Sequence, residues 1–532
     1  MKRELENKVE NLKMKTMKRI GLIIGSLLIS LAAVAQNEVD ALKYSWNNNL
    51  MGTARSAAMG GAFSALGADV GALSLNPAGV AVYRSSEFVF TPTFYQNSTE
   101  SNYLKSTNSD EKFNFNLNNL AYVGTFGRGL SGGWESVSFA LGYNRKNNYN
   151  QTTVIDGNME LGNLTTGDNL SSYLDNFTYY AGLQDPYGDI YDANNNSLLD
   201  ADYELLAYNA YLINYQYPDS ALGFDEGFWW NDMYDDGYNQ NQRRVIKATG
   251  SSGEWYCAMG GNYSNSLYIG GSVGYHHFRE EYVSIHSETD YLNQIDYIYD
   301  FRFEENYTTY GNGVDFKMGM IYKPIDLVRI SAAFHTPTFY KVNIEYSNFA
   351  GTTVDPEYID GSWSSYSENP RIYDYKLRTP MKAIGGVAFQ FDKYALLSFD
   401  YEYADYSKLR LSNDTEDQFT ETNSIMKEKY SATHNFRGGL ELRNGPLSIR
   451  GGAAYYDSPF SSDEVNSDAY SIFYTGGIGL RSEDFFIDFA YLHGMHKEKY
   501  FMYYLPDEFG DLEQVDLTST FNKFMVTVGF RF

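Results

Sequence analysis

Basic residues, cysteines and long apolar runs are what this chain has least of. A single cysteine, Cys257, rules out an internal disulfide framework, and its expected place is that of a small apolar wall residue. Lys and Arg number 41 against 67 Asp and Glu, a net charge of −26. So acidic a chain lacks the basic stripe that a phosphate backbone demands, which argues against nucleic acid as a partner. The acids concentrate in polar connecting stretches, expected to form an extracellular surface. After Ala35 no run is apolar enough for a membrane helix. Enzyme signatures are missing as well: no G-x-S-x-G occurs, and no histidine sits in a triad context, so no catalytic activity is expected.

What the chain does have begins with its leader. A basic stretch precedes the apolar run Ile20–Val34, and Ala33-Val34-Ala35 forms a small-x-small cleavage site, so residues 1–35 read as a secretory signal peptide. Met17-Lys18-Arg19 is a more ordinary start, which makes 1–16 read as an extension ahead of the true first residue. Aromatic residues are abundant, with 49 Tyr, 34 Phe and 6 Trp making 17% of the chain. A mean hydropathy of −0.43 looks soluble, yet a membrane barrel hides from hydropathy because only alternate residues meet lipid. The C-terminus shows such alternation. Phe524, Val526, Val528, Phe530 and Phe532 share one face, and Met525, Thr527, Gly529 and Arg531 share the other.

Alternating segments bounded by turn residues give fourteen strands: 86–96, 111–126, 134–146, 253–263, 266–279, 311–323, 327–342, 380–391, 395–407, 432–443, 447–457, 472–482, 485–497 and 520–532. Short turns such as Ser264-Asn265 and Asn444-Gly445-Pro446 alternate with long polar loops, the longest being 147–252. An even count with loop length sorted by parity is the pattern of a transmembrane antiparallel barrel in the bacterial outer membrane. In the second strand Phe113, Phe115 and Leu117 share one parity, and Leu120, Tyr122 and Phe126 the other. That phase flip at Asn118-Asn119 predicts a bulge, and Pro92 in the neighbouring strand removes a ladder donor. The pair marks a weak place in the wall and a candidate lateral exit.

Residues 36–85 do not alternate. Small residues dominate Met51–Phe63 and Ala72–Val80, and Gly60-Gly61 and Pro77 break regular structure, so a compact plug is expected. The run Ala54-Arg55-Ser56-Ala57-Ala58-Met59-Gly60-Gly61-Ala62-Phe63-Ser64-Ala65-Leu66, then Asp69, then Asn76-Pro77-Ala78-Gly79, closely resembles the hatch of the long-chain fatty acid transporter family of outer-membrane proteins (FadL/TodX type). Phe316–Pro324, Ala333–Thr338, Asp400–Tyr403 and Ser458-Pro459-Phe460 resemble the Bacteroidetes version of this family, often labelled hemin receptor. The resemblance covers nearly all of 48–532. It implies a monomeric fourteen-stranded barrel (86–532) with an N-terminal hatch (36–85), which takes up hydrophobic molecules such as a fatty acid or an aromatic compound and releases them through the wall. Asn76, Pro77, Ala78, Gly60, Gly61 and Phe63 are the expected gating residues.

Further candidates lie in the long loop. Phe228, Trp229 and Trp230 suggest a greasy capture surface. Asp192, Asn194 and Asn196 have the alternate spacing of calcium ligands, but the sixth and twelfth positions hold Ser197 and Tyr203 where an EF-hand needs Gly and Glu. Haem would need a histidine from among His276, His277, His286, His335, His434, His493 and His496, and nothing singles one out. No cofactor is expected. Arg329, Arg437, Arg450, Arg531 and Lys317 are expected in the lumen, satisfying acids that include Asp69 of the hatch. Outer-membrane lipid and a hydrophobic ligand are the expected partners. The alternatives are a barrel that presents loop 147–252 to a partner or secretion system, and a hemin receptor.

Overall fold

The computed structural model describes residues 38–46, 49–127, 133–159, 172–192, 195–218, 226–231, 240–290, 298–354, 362–367, 370–413, 418–503 and 513–532. The stretch expected to be a signal peptide, 1–35, lies outside the described residues. In chain order the strands are β1 (Glu87–Tyr103), β2 (Ser106–Phe126), β3 (Trp134–Asn148), β4 (Gln151–Met159), β5 (Asn214–Gln216), β6 (Phe228–Trp230), β7 (Gln240–Tyr263), β8 (Leu267–Asp290), β9 (Ile298–Ile325), β10 (Val328–His335), β11 (Phe339–Val354), β12 (Ser362–Tyr366), β13 (Arg371–Arg378), β14 (Lys382–Phe391), β15 (Ala395–Asp405), β16 (Arg410–Ser412), β17 (Ala432–Asn444), β18 (Leu447–Tyr456), β19 (Tyr470–Arg481), β20 (Phe485–Tyr500) and β21 (Val515–Arg531).

The wall closes because β1 pairs with β2 on one side and with β21 on the other, setting Phe88 opposite Phe530. The result is a closed antiparallel barrel of fourteen staves. Its strands obey the period of two. Phe524, Phe530 and Phe532 are exposed on the outside, while Lys523, Met525 and Thr527 of the same strand are buried inside. The exposed apolar side chains continue around the wall through Phe90, Met259, Val273, Met318, Ile330, Phe399, Leu440, Ile449, Ile478 and Phe489. A band of this size is stable only against lipid. Among the described residues no helix is long and apolar enough to cross a membrane. Cys257 faces outward from β7.

Two expectations need correction. The stretches 97–110, 280–310 and 343–379 are largely strand rather than loop, because β1, β2, β8, β9, β11 and β13 run well past the apolar band. Beyond the membrane the outer face is polar, so the hydrophobic alternation that marks a strand fades while the ladder continues. Second, the seventh stave is not a continuous 327–342. It breaks at 336–338 between β10 and β11, and its neighbour breaks at 379–381 between β13 and β14. Pro337 and Pro380 sit in these breaks and have no N–H to donate. The staves are rejoined there by Thr338 N to Thr379 Oγ1 at 2.8 Å and Thr379 N to Thr338 O at 3.1 Å.

Inside the barrel, residues 49–83 are almost entirely buried. They form the helix α2 (Ala54–Ala58), preceded by α1 (Glu38–Ser45), and two 3₁₀ turns at Val70–Ser74 and Pro77–Val82. At the far end, between β4 and β7, a cap carries α3 (Tyr173–Gln184), α4 (Glu204–Asn209) and the β5–β6 hairpin. Its core of Leu174, Phe177, Leu206, Leu212 and Trp229 packs on Phe301, Phe303 and Ala350 of β9 and β11.

Candidate functional site

The hatch is seated by short polar side chains acting on its own backbone and on the wall. Thr53 caps α2 in a reciprocal box with Ser56, and its Oγ1 donates to Asp69 Oδ2 at 2.7 Å. Asn76 caps the turn that follows it: its Oδ1 accepts from Ala78 N at 3.0 Å, and its Nδ2 donates to Ser64 O at 2.9 Å and to Met320 O of β9 at 3.3 Å. Pro77 takes the first position of that turn, where its missing N–H costs nothing. The wall is cut back to receive this motif. A Cβ at Gly319 would lie 1.9 Å from Asn76 Oδ1, and one at Gly270 would lie 2.6 Å from Pro77 O. Gly60 (φ +63°) is left-handed, and a Cβ there would meet Ala453 O at 2.4 Å. Phe63 N and Ser64 N both donate to Asp400 Oδ2, at 2.9 and 2.8 Å.

The lumen charges pair as expected, with one exchange of partner. Arg437 meets Glu402, Arg450 meets Glu441 and Asp488, Arg531 meets Glu87, and Lys317 meets Glu254. Arg329 instead donates to Leu66 O of the hatch at 2.7 Å. Among the described residues Asp69 makes no ion pair with a wall cation; its carboxylate accepts from Thr53 Oγ1 and Gly71 N. The hatch contributes a cation of its own, Arg55, whose Nε lies 3.2 Å from Glu441 Oε2. Sequence reading missed this bolt because nothing local distinguishes Arg55 from any other arginine.

Two adjoining cavities lie above the hatch, holding about 680 and 700 Å³ of empty space with their open mouths counted. They share Lys146, His335 and Lys382. The first is walled by Tyr44, Trp46, Tyr149 and Tyr340; the second reaches Leu50, Asn144, Arg145 and Tyr456. Aromatic walls and fixed cations at one level suit a ligand with an apolar body and a polar end.

Beside the second cavity the wall parts. The β1–β2 ladder shifts register between Thr91 and Pro92: Thr91 faces Asn119, Pro92 faces Leu117, and Asn118 is bulged out. Asn118 turns inward and donates to Gly52 O of the hatch at 2.5 Å. Asn119 donates to Tyr143 O at 3.2 Å and Asn144 Oδ1 at 2.5 Å. The β2–β3 ladder runs from Phe126–Val137 to Asn119–Asn144 and stops, while β3 goes on pairing with β7 as far as Asn148–Ser251. Among the described residues, the edge of β2 from 106 to 118 therefore has no ladder partner on the β3 side. Strand β4 passes close to the β1–β2 hairpin, where Ser101 Oγ donates to Val154 O at 2.5 Å and Asn108 Nδ2 to Asp156 O at 3.0 Å. Across the parting the described contacts are long: Arg145 Nε to Leu117 O at 3.4 Å and Lys112 Nζ to Ala248 O at 3.3 Å. Phe113 and Phe115, 72% and 62% exposed, stand outside it. Pro92, Asn118 and Asn119 thus meet at one place; the departure of β3, which has no sequence signal, completes it.

The loop candidates fare differently. Phe228 and Trp230 are exposed, but Trp229 is inside the cap, packed on Tyr208 and Tyr215 with Nε1 donating to Asp185 O at 2.7 Å. Asn194 lies outside the described residues, and Asp192 already accepts from Asn196 N and Nδ2, at 2.8 and 2.9 Å. The cap is latched to the barrel through Asp202, which meets Arg371 Nε at 2.7 Å and Tyr346 OH at 3.2 Å. Burial pushes the neighbouring Glu204 carboxyl up to about 8.

Glu254, His276 and Asp315 come close enough to share a metal ion, and two of the three carboxyl and imidazole groups, Glu254 and Asp315, are also neighbours of the Lys317 ammonium, which pairs with Glu254 and lies 3.6 Å from Asp315. Ser471, His496 and Glu498 fall in line, yet Ser471 is fully buried and His496 Nδ1 lies 3.1 Å from Tyr470 O, an acceptor that calls for a proton on that nitrogen. The remaining histidines are engaged by Glu288 (His286), Leu75 O (His335), Tyr401 (His434) and Asn522 (His493), and His277 stacks on Tyr143.

No protein-family model matches the chain, and no curated protein matches it. Among solved structures it is similar to the Pseudomonas putida toluene transporter TodX (13% identity, 92% of this chain and 100% of that one, TM-score 0.48), to a Pseudomonas aeruginosa FadL homologue (11%, 91% and 99%, 0.49) and to the Ralstonia pickettii toluene transporter TbuX (15%, 91% and 99%, 0.45).

Proposed function

We propose that this protein is an outer-membrane channel through which a hydrophobic small molecule, a long-chain fatty acid or an aromatic compound, enters the cell passively. The observation that carries the reading is the parting of β2 from β3 beside a cavity that rests on the hatch. A solvent-filled pore needs no hole in its wall, whereas a greasy cargo gains by leaving sideways into lipid rather than down an aqueous bore. The ligand passes under the cap, settles against Tyr44, Trp46, Tyr149 and Tyr340, and moves to the second cavity. A shift of the hatch around Asn76-Pro77-Ala78 then clears the way to the parting bounded by Pro92, Asn118 and Asn119. The cap's packing on Phe301 and Phe303 suits a lid more than a free binding arm. The protein works as a monomer, because each part of this route lies within one chain.

The test is to fill the parting. Asn116 is buried beside it on β2. Asn116→Trp is expected to abolish uptake of a radiolabelled fatty acid or toluene by whole cells, with heat-resistant migration of the barrel on gels unchanged. Undiminished uptake in a correctly folded variant would overturn the exit.

A further inference from the structure

Three donor groups on the inner wall meet without a task in the uptake route. Register sets Glu254 of β7 directly opposite His276 of β8, and sets Gly274, two residues back on the same face of β8, opposite Asp315 of β9. Alternate residues of a strand share a face, so the three side chains turn into the lumen together. Glu254, His276 and Asp315 are 0%, 6% and 8% exposed. Gly274 is what lets them converge. A Cβ on it would lie 2.4 Å from Asp315 Oδ1, 2.9 Å from Glu254 Oε1 and 3.1 Å from His276 Nε2. These are the three atoms nearest to that point outside the glycine and its chain neighbours, so the Lys317 ammonium stands farther from it than any of them.

The contacts within the group are not those of a closed ion-pair network. Elsewhere in the lumen carboxylates meet guanidinium groups, as Glu402 meets Arg437 and Glu441 meets Arg450. Here His276 Nε2 lies 3.1 Å from Asp315 Oδ2 in a geometry that makes no hydrogen bond, and that nitrogen and Asp315 Oδ1 are both buried without a hydrogen-bond partner. Buried polar atoms left unpaired are costly, and a shared cation would engage both. Two donors about 2.1 Å from a tetrahedral ion lie about 3.4 Å apart, close to the nitrogen–oxygen separation found. Lys317 pairs with Glu254 and lies 3.6 Å from Asp315 Oδ2, and Lys146 Nζ lies 3.4 Å from Glu254 Oε2. Together they orient the Glu254 carboxylate, as outer partners of a metal ligand do.

We propose that Glu254, His276 and Asp315 bind a divalent transition-metal ion of the zinc type over Gly274. One imidazole nitrogen with two carboxylate oxygens suits such an ion, whereas calcium and magnesium favour oxygen donors alone. Three protein ligands leave a fourth position open. His276 and Asp315 line the first cavity beside Lys317 and Tyr340, so that position faces the cavity and takes water or an oxygen donor of a molecule held there. Lys146 and Lys317 offset the two carboxylates, so the ion keeps its own charge toward the cavity and favours an anionic or strongly polar donor. The site stands on the wall's own register and does not require the uptake reading.

The full chain, purified in mild detergent and stripped with a chelator, is titrated with zinc chloride by calorimetry, and the zinc that survives desalting is counted by atomic emission. The parent is expected to hold one equivalent. His276→Gln and Asp315→Asn are each expected to weaken binding at least ten-fold. Gly274→Ala removes no donor but fills the place where the donors converge, and is expected to weaken it as much. His277→Gln, on the opposite face of β8, is expected to leave it unchanged. Because a change in the lumen can disturb the barrel, X-ray absorption at the zinc edge of the parent gives a second reading: one nitrogen and two or three oxygens at about 2.0–2.2 Å. No zinc in the desalted parent, a zinc edge with two or more imidazoles, equal binding by any of the three lumen variants in heat-resistant form, or an equal loss in His277→Gln overturns the inference and leaves the uptake channel standing.

Discussion

Asn76 stands directly over Gly319: a single added methyl on the glycine would come within 1.9 Å of the asparagine oxygen. The hatch motif is thus read by the wall as much as by its own turn, since Asn76 Nδ2 also reaches Met320 O. Asn76→Ala leaves the turn uncapped and two carbonyls without this donor, an expected loss of about 1–3 kcal/mol in hatch seating. Limited proteolysis of the detergent-solubilised protein should cut the hatch at a lower urea concentration, while the barrel keeps its heat resistance.

A second bolt joins Arg55 of the hatch to Glu441, which also holds Arg450. All three are buried. Glu441→Gln leaves three arginines, Arg55, Arg450 and the half-buried Arg443, facing a neutral amide, and removing one member of a buried ionic group costs about 3–5 kcal/mol. Single-channel recordings should show a noisy, partly open bore in this variant and a quiet one in the parent. A quiet variant would mean that Asp488, the other partner of Arg450, suffices.

The cap is expected to lose stability as pH rises. Glu204 is pushed from 4.5 up to about 8 by burial, so the folded cap holds its proton more tightly than the unfolded chain does. The contribution is fully present below about pH 4.5 and is lost as the pH climbs toward 8, at no more than about 1.4 kcal/mol per pH unit. Hydrogen exchange of α3 and α4 should therefore be faster at pH 8.5 than at pH 5, after correction for the intrinsic rate, and Glu204→Gln should reduce the difference to the part contributed by Glu288, which burial also raises to about 8 and which accepts from Tyr173 N at the start of α3.

Trp229 is the largest side chain in the cap's core apart from what the barrel lends it. Trp229→Ala removes its packing on Tyr208 and Tyr215 and its bond to Asp185 O, an expected cost of about 3–5 kcal/mol. Protease should then cut between β4 and β7 in intact cells. Arg371→Ala, at the half-exposed latch to Asp202, should cost about 1 kcal/mol or less in the same assay.

Several of these features were legible in the chain. Phe524, Phe530 and Phe532 announce the lipid face because a strand sorts its residues by parity, and the turns at Ser264-Asn265 and Gly445-Pro446 mark strand ends by their backbone needs. Pro92 and the phase flip at Asn118-Asn119 predicted the bulge that the β1–β2 register contains. Where the wall leaves the lipid, as in β8 beyond Phe278 and β9 before Gly311, parity no longer shows as hydrophobicity, and strand reads as loop. Trp229 looked like its neighbours Phe228 and Trp230, because a three-residue strand too short to show alternation decides which ring turns inward.

By itself the sequence determined the lipid-facing parity, the number of staves and the small-residue plug, because each of these rests on side chains a few positions apart along one strand or turn. Only the tertiary structure decided that Arg55 meets Glu441, that Gly319 makes room for Asn76, and that β3 parts from β2 at Asn119–Asn144. These pairs are separated by tens to hundreds of residues, and it is barrel closure, which sets the register of each strand against the next, that brings them together.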